Sequence, residues 1–390
     1  MITVAEAKSI IQENTVISAP VILPIENSMG YVLVNDVVSG LHLPPFKQSS
    51  MDGYAIRFSD WEQELPIQDE LPAGSFRQIE LSEKAAIKVF TGGPIPLGAD
   101  LVVQKEWVNV KDGKISLQSD PIPIGSNIRN PGDDICEGAI AIKAGTQIAT
   151  FHIAVMASLG LSAVKVYQKP TVAIVITGNE LVLPGNPLLY GQVYESNSYA
   201  LKASLQKLGI HEVGIFYAKD HLEETSWKLG EALSQYQMVL LTGGVSVGEY
   251  DFVAEACKKQ EVATLFHGVA QKPGKPLYVG RKGDQLVFGL PGNPVSVLSC
   301  FQQYVSLAIQ TMLGLSVCEP VFGKLKYAFE KKSGLSFFLK AYVENGIVSI
   351  LKSQASYQLS SLVDANCWVE LDATTNKFEQ YSQVKLHLFN

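Results

Sequence analysis

The sequence predicts an α/β and β multidomain protein, with a central three-layer α/β unit and β-rich regions before and after it in the chain. Between residues 170 and 315 apolar, strand-like runs alternate with helical patterns, as expected of a mainly parallel sheet covered on both faces. Residues 65–149 carry instead short β segments spaced by Gly and Pro, and segments such as 337–343 and 383–388 repeat that pattern near the end. A chain of 390 residues exceeds one ordinary core, so two to four domains are expected.

Taken in order, Thr3 and Glu6 form a capping box that opens a helix to about residue 12. Residues 21–38 hold a strand and a stretch that reads equally as helix or extended chain. Pro44 and Pro45 then forbid a helix, and Asp52-Gly53 turns the chain into a strand at 54–56. Short strands are expected at 86–90, 101–104 and 114–117, and a helix at 150–159 closed by Gly160. The α/β alternation follows: strands at 172–176, 212–217, 238–241, 275–279 and 286–288, with helices at 198–208, 224–233, 251–259 and 294–313.

Composition excludes several function classes. With 18% charged and 47% hydrophobic residues the chain is a packed globular protein, not a disordered one. A net charge of −7 speaks against nucleic-acid binding, which needs a basic face. The five cysteines (Cys136, Cys257, Cys300, Cys318, Cys367) are scattered and include no CxxC pair. They read as free thiols in a reducing compartment. No histidine has metal-ligand spacing. The apolar stretch 295–315 is interrupted by Gln302, Gln303 and Gln310, which suits a buried helix and not a membrane span. No secretory signal is evident, so a cytoplasmic protein is expected.

The functional signal lies in three turns. The run 238–241 breaks at Thr242-Gly243-Gly244 and leads, past Ser246, Glu249 and Asp251, into a helical pattern. The same grammar recurs at Gly289-Leu290-Pro291-Gly292-Asn293-Pro294 and at Thr177-Gly178-Asn179-Glu180. Strand, glycine turn and helix aim backbone N–H groups at an anion, and glycine lets a ligand approach the backbone. Read alone, the 238–251 stretch is a tight turn with Asp251 as a helix cap. Three such turns in one segment should gather at the carboxyl edge of a parallel sheet, where open α/β sheets bind ligands. Lys272 and Lys275 flank Pro273-Gly274. They read either as phosphate contacts or as solvated surface lysines. Arg129 beside Asp133 and Asp134 reads first as a surface ion pair.

Taken together, PPFKQSSMDGY at 44–54, TGGPIPLGAD at 91–100, residues 127–135, TGNEL at 177–181, TGGVSVGEYD at 242–251, KPGKP at 272–276 and GLPGNP at 289–294 resemble the MoeA-type molybdopterin molybdenumtransferase family, which includes the gephyrin E domain. The resemblance implies insertion of molybdenum from molybdate into adenylylated molybdopterin, with Mg²⁺-assisted release of AMP. It implies a homodimer whose site is shared between the α/β domain of one subunit and the β domain of the other, and transient contact with the molybdopterin adenylyltransferase. By the same resemblance Asp52, Glu180, Asp220 and Asp251 are the catalytic carboxylates, the last three as Mg²⁺ ligands. Thr91, Arg129, Thr177, Gly178, Gly243, Gly244, Ser246, Lys272, Lys275, Pro291, Gly292, Asn293, Pro294 and Ser360 would bind substrate. Patterns and resemblance together divide the chain into a discontinuous linking domain (1–40 with 140–169), a β-rich inserted domain (41–139), an α/β molybdopterin-binding domain (170–317) and a C-terminal β domain (318–390).

Two positions depart from the family. Asn179 stands where Asp is usual and brings no charge to a metal, and Lys340 stands where Arg is usual and cannot contact an oxyanion bidentately. The competing activities are molybdopterin adenylylation, against which the extra domains weigh, and a non-catalytic scaffold, against which the pocket carboxylates weigh.

Overall fold

In the computed structural model, which describes residues 1–244, 252–315, 320–332 and 334–389, a six-stranded sheet forms the centre. Its strands are β1 (Val172–Thr177), β2 (Val213–Ala218), β3 (Met238–Thr242), β4 (Ala263–His267), β5 (Tyr278–Lys282) and β6 (Gln285–Leu290), in the spatial order β2-β1-β3-β6-β5-β4. The first four strands in that order run parallel, and β5 and β4 complete the sheet antiparallel. Every residue of β1 and β3 is buried, as a continuous apolar run covered on both faces should be. Alternate residues serve opposite cores. Val172, Ile174, Ile176, Met238, Leu240 and Phe288 point to one side, and Ala173, Val175, Val239, Leu241 and Val287 to the other.

The first core is covered by the helices Asn197–Lys207, Pro294–Cys300 and Ser306–Met312, the second by Leu222–Leu233 and Phe252–Lys259. The expected helix 294–313 is thus continuous in course but passes through a wider π-turn at Phe301–Val305. The expected strand 275–279 begins three residues later, because Pro276 has no N–H to give a ladder. Strand β4 was not anticipated. The N-terminal helix Val4–Asn14 has the capping box, Glu6 N–H to Thr3 Oγ1 at 3.2 Å and Thr3 N–H to Glu6 Oε2 at 2.7 Å. It buries Val4, Ala7 and Ile11 in the α/β core.

Residues 20–24 pair antiparallel with 163–167, and 37–38 with 140–142, around a small core of Leu33, Val37, Ile142, Ile148, Met156 and Val166. Between those pairings the chain makes a six-stranded sheet in the order Leu101–Gln104, Gly53–Ile56, Ala86–Val89, Leu65–Leu71, Lys114–Leu117, Val108–Lys111. After residue 320 the strands Val321–Leu325, Ser336–Glu344, Ile347–Ile350, Cys367–Leu371 and Gln383–Leu388 close on one another as a small barrel. The multidomain α/β and β class expected from the sequence is therefore the class observed.

Candidate functional site

β1, β3 and β6 are adjacent and parallel, so their carboxyl ends bring the three glycine turns together. Thr177 is buried, and its hydroxyl donates to the Thr242 carbonyl at 3.2 Å. The Gly243 N–H reaches the Leu290 carbonyl at 3.3 Å, and Asn197 Nδ2 donates to the Gly292 carbonyl at 3.0 Å. Thr177 is thus a brace between turns. Gly243 has φ +92°, and a Cβ there would stand 2.7 Å from both the carbonyl oxygen and Oγ1 of Thr177. Only glycine fits that approach. Gly178 and Gly244 keep partly open backbone beside it, and Pro294 opens the following helix at its first position, after Asn293 in extended geometry. Ser246 and Asp251 lie outside the described residues.

The lysine loop sits on that same helix. A Cβ on Gly274 would be 3.8 Å from the Ser296 carbonyl oxygen and 2.4 Å from Cys300 Sγ. Lys272 and Lys275 are exposed on either side of it, Lys272 Nζ lying 5.5 Å from the Phe337 ring centre. A loop of the C-terminal barrel joins them, since the Val295 N–H donates to the Ser356 carbonyl at 3.3 Å. Ser360 is exposed on the turn that follows. Lys340 is fully buried beneath this loop. Its ammonium donates to the carbonyls of Ala355 at 3.2 Å and Gln358 at 3.3 Å, so it ties the loop down, and burial lowers its pKa. Nothing in that role needs the bidentate fork of Arg.

At the rim, Asn179 and Asp220 exchange hydrogen bonds. Asn179 N–H donates to Asp220 Oδ2 and Asp220 N–H to Asn179 Oδ1, both at 3.3 Å. Asn179 therefore links the first turn to the segment after β2, and Glu180 is exposed next to it. Among the described residues no three His, Cys, Asp or Glu side chains gather closely enough to hold a metal by themselves. The carboxylates of Glu180 and Asp220 are hard oxygen donors at one edge. That set fits Mg²⁺, which keeps several waters and takes one or two carboxylates beside substrate phosphates.

A second cluster forms in the β-rich part. Thr91 donates to Asp52 Oδ1 from both its backbone N–H and its hydroxyl, each at 3.0 Å, and Lys105 Nζ lies 3.4 Å from Oδ2. The two Thr91 bonds, with Lys105, hold the Asp52 carboxyl below its ordinary pKa. The three loops of this half meet there. Ser49 exchanges backbone bonds with Gly92 and Gly93, Ser50 donates to Asn127, and Arg129 pairs with Gln48. No ion pair joins Arg129 to Asp133 or Asp134 among the described residues. Asp133 instead accepts the Asn130 N–H at 2.6 Å, which leaves the Arg129 guanidinium exposed. No hydrogen bond or ion pair among the described residues connects this cluster with the glycine turns.

Comparison with known proteins places the chain in a family. Residues 2–160 match the family model "MoeA N-terminal region (domain I and II)", 173–311 "Probable molybdopterin binding domain", and 323–389 "MoeA C-terminal region (domain IV)". The molybdopterin molybdenumtransferase of Haemophilus influenzae is 33% identical over 94% of this chain and 93% of its own length. The chain belongs to the molybdopterin molybdenumtransferase family. The Bacillus subtilis molybdopterin molybdenumtransferase is 31% identical over 93% of the chain and 88% of its own length. The molybdopterin biosynthesis MoeA protein of Pyrococcus horikoshii superposes with a TM-score of 0.85 at 29% identity, covering 100% of this chain and 99% of its own. The family recognised from the loops is thus the family found, and the chain is an enzyme of it.

Three groups at these loops escaped the sequence reasoning. Lys105 pairs with Asp52 from 53 residues away, a distance that leaves no local signature. Glu195 is buried and accepts the N–H and hydroxyl of Ser198, a spacing of three that marks a helix start. Asn197 is buried with its Oδ1 unpartnered beside the Gly292 turn.

Proposed function

We propose that the chain takes adenylylated molybdopterin and molybdate, places molybdenum in the dithiolene and releases AMP, in molybdenum cofactor biosynthesis. The observation that carries this is the convergence of Gly178, Gly243, Gly244 and the Pro291–Pro294 turn beside the exposed pair Lys272 and Lys275. Such an edge binds a polyanion through backbone N–H groups and point charges. Bound Mg²⁺, held by Glu180, Asp220 and Asp251, would supply Lewis acidity at the phosphoryl group. Ser246 and Ser360 would contact substrate as hydroxyl partners. Thr91 and Lys105 keep Asp52 ionised, and Arg129 offers a forked donor to an oxyanion.

The same reading makes the protein a homodimer in which the Asp52–Thr91 cluster of one subunit completes the glycine-turn site of the other. It also expects transient contact with a molybdopterin adenylyltransferase, which supplies the substrate. Two features support the dimer: among the described residues the two clusters share no hydrogen bond, and Leu188, Leu189 and Tyr190 are exposed next to the first turn. The division of the chain into linking, inserted, α/β and C-terminal domains is proposed on the separate cores. No helix among the described residues is long and apolar enough to cross a membrane, and a cytoplasmic location is proposed with the reaction.

The test is to supply adenylylated molybdopterin and Mg²⁺ with and without molybdate. AMP release coupled to a product that reconstitutes an apo-molybdoenzyme supports the proposal. Tight binding without molybdate-dependent AMP release refutes it.

A further inference from the structure

Behind the lysine loop lies a chain of buried polar groups that neither the sequence motifs nor the site described so far uses. Gln271 is 1% exposed, and Cys300 and Tyr304 are fully buried. Gln271 Nε2 donates to the Gly274 carbonyl at 3.1 Å and lies 3.6 Å from Cys300 Sγ, while Cys300 Sγ itself lies 3.8 Å from the same carbonyl. The other end of the carboxamide, Oε1, accepts the Tyr304 hydroxyl. Tyr304 stands on the π-turn Phe301–Val305, a widened helical turn of the kind often found at functional sites. Polar groups so deep in an apolar core lower stability unless each is paired, and an apolar set of the same shape would pack as well or better. Here each donor is satisfied, and the bonds end on one atom, the carbonyl at the apex of the loop between Lys272 and Lys275. Gly274 has φ +86° and packs directly on Cys300, so the loop is seated on this clamp.

We propose that Gln271 and Tyr304 are positioning residues: the Tyr304 hydroxyl orients the Gln271 carboxamide, which fixes the Gly274 carbonyl and so aims the ammonium groups of Lys272 and Lys275 at the phosphates of the substrate. This rests on the reading of the lysine loop as a phosphate contact. The clamp touches no substrate itself, so its loss should appear in substrate affinity and leave the chemical step largely alone.

The test compares Tyr304→Phe, the double variant Gln271→Met with Tyr304→Phe, and Lys275→Ala in the full chain, with AMP release from adenylylated molybdopterin as the assay. Tyr304→Phe should raise KM roughly tenfold and change kcat less than about twofold. It should also lower the melting temperature, since Gln271 Oε1 is left buried without a donor. The double variant removes the unpaired Oε1 and leaves the Gly274 carbonyl only the Cys300 thiol, so melting should recover in part while KM stays raised. Should Tyr304→Phe fail to fold, the double variant carries the comparison. A KM that returns together with the melting temperature makes the pair a packing feature and overturns the proposal. If Lys275→Ala raises KM and neither clamp variant does, the phosphate reading stands and the clamp is refuted. If Lys275→Ala leaves KM unchanged, the phosphate reading falls and the clamp with it.

Discussion

Thr91 meets one oxygen of Asp52 with both its backbone N–H and its hydroxyl, while Lys105 approaches the other, so this carboxylate is ionised and fixed in direction. Asp52→Asn keeps the shape and removes the charge. Turnover should fall at least about a hundredfold. The melting temperature should barely move, because the side chain is 41% exposed. Unchanged turnover would reduce Asp52 to a turn-forming residue. Lys275→Ala should weaken binding of the adenylylated substrate and flatten its dependence on salt, since a screened point charge is lost. Equal affinity at low salt would make Lys275 a solvated surface residue. At Gly243 the constraint is steric. Gly243→Ala puts a methyl group 2.7 Å from the Thr177 carbonyl at a positive φ, and should destabilise the protein by more than about 1 kcal/mol as the turn shifts.

The barrel strands carry a charge network that joins three parts of the chain. Lys8 of the N-terminal helix donates to Gln303 at 2.9 Å, and Glu370 accepts His387 at 2.8 Å with Lys385 at 3.3 Å. Burial pushes the Glu370 carboxyl up, but the His387 bond and the charges of Lys8 and Lys385 pull it further down, to about 2 from an ordinary 4.5. A depressed carboxyl contributes stability that is whole above the unfolded value and lost as pH falls through the folded one. The window is therefore pH 4.5 down to about 2, and the loss is on the order of 3 kcal/mol. Chemical denaturation across that range should show the loss, and Glu370→Gln should abolish its pH dependence. Persistence of the same slope in Glu370→Gln would assign the effect elsewhere. These contacts also show what was legible. Glycine turns, apolar runs and capping boxes are local, so β1, β3, the N-terminal helix and the convergence of the turns follow from spacing. Lys340 ends its bonds on backbone carbonyls 15 and 18 residues later, which any side chain could precede. The partly exposed strand β4 lacks a continuous buried run and pairs at an edge, so its periodicity is weak.

At the scale of the molecule, no hydrogen bond or ion pair among the described residues joins the two loop clusters. Tyr190 is 108% exposed and Leu189 72%, and such a projecting apolar pair favours a second copy over water. Light scattering should give a dimer at micromolar concentration, and Leu189→Asp with Tyr190→Asp should shift it toward monomer. The central claim is that Asp52 of one subunit and Lys275 of the other act on one substrate, and mixed dimers test it most directly. With substrate far below KM, where lost binding shows as lost rate, Asp52→Asn and Lys275→Ala homodimers should each be nearly inactive. After joint refolding, mass spectrometry would verify that heterodimers form, and AMP release would then be measured. In a shared site each heterodimer regains one site with both native residues, so activity should recover to about a quarter of wild type by statistical mixing. Heterodimers that form and stay as inactive as the parents would contradict the shared site.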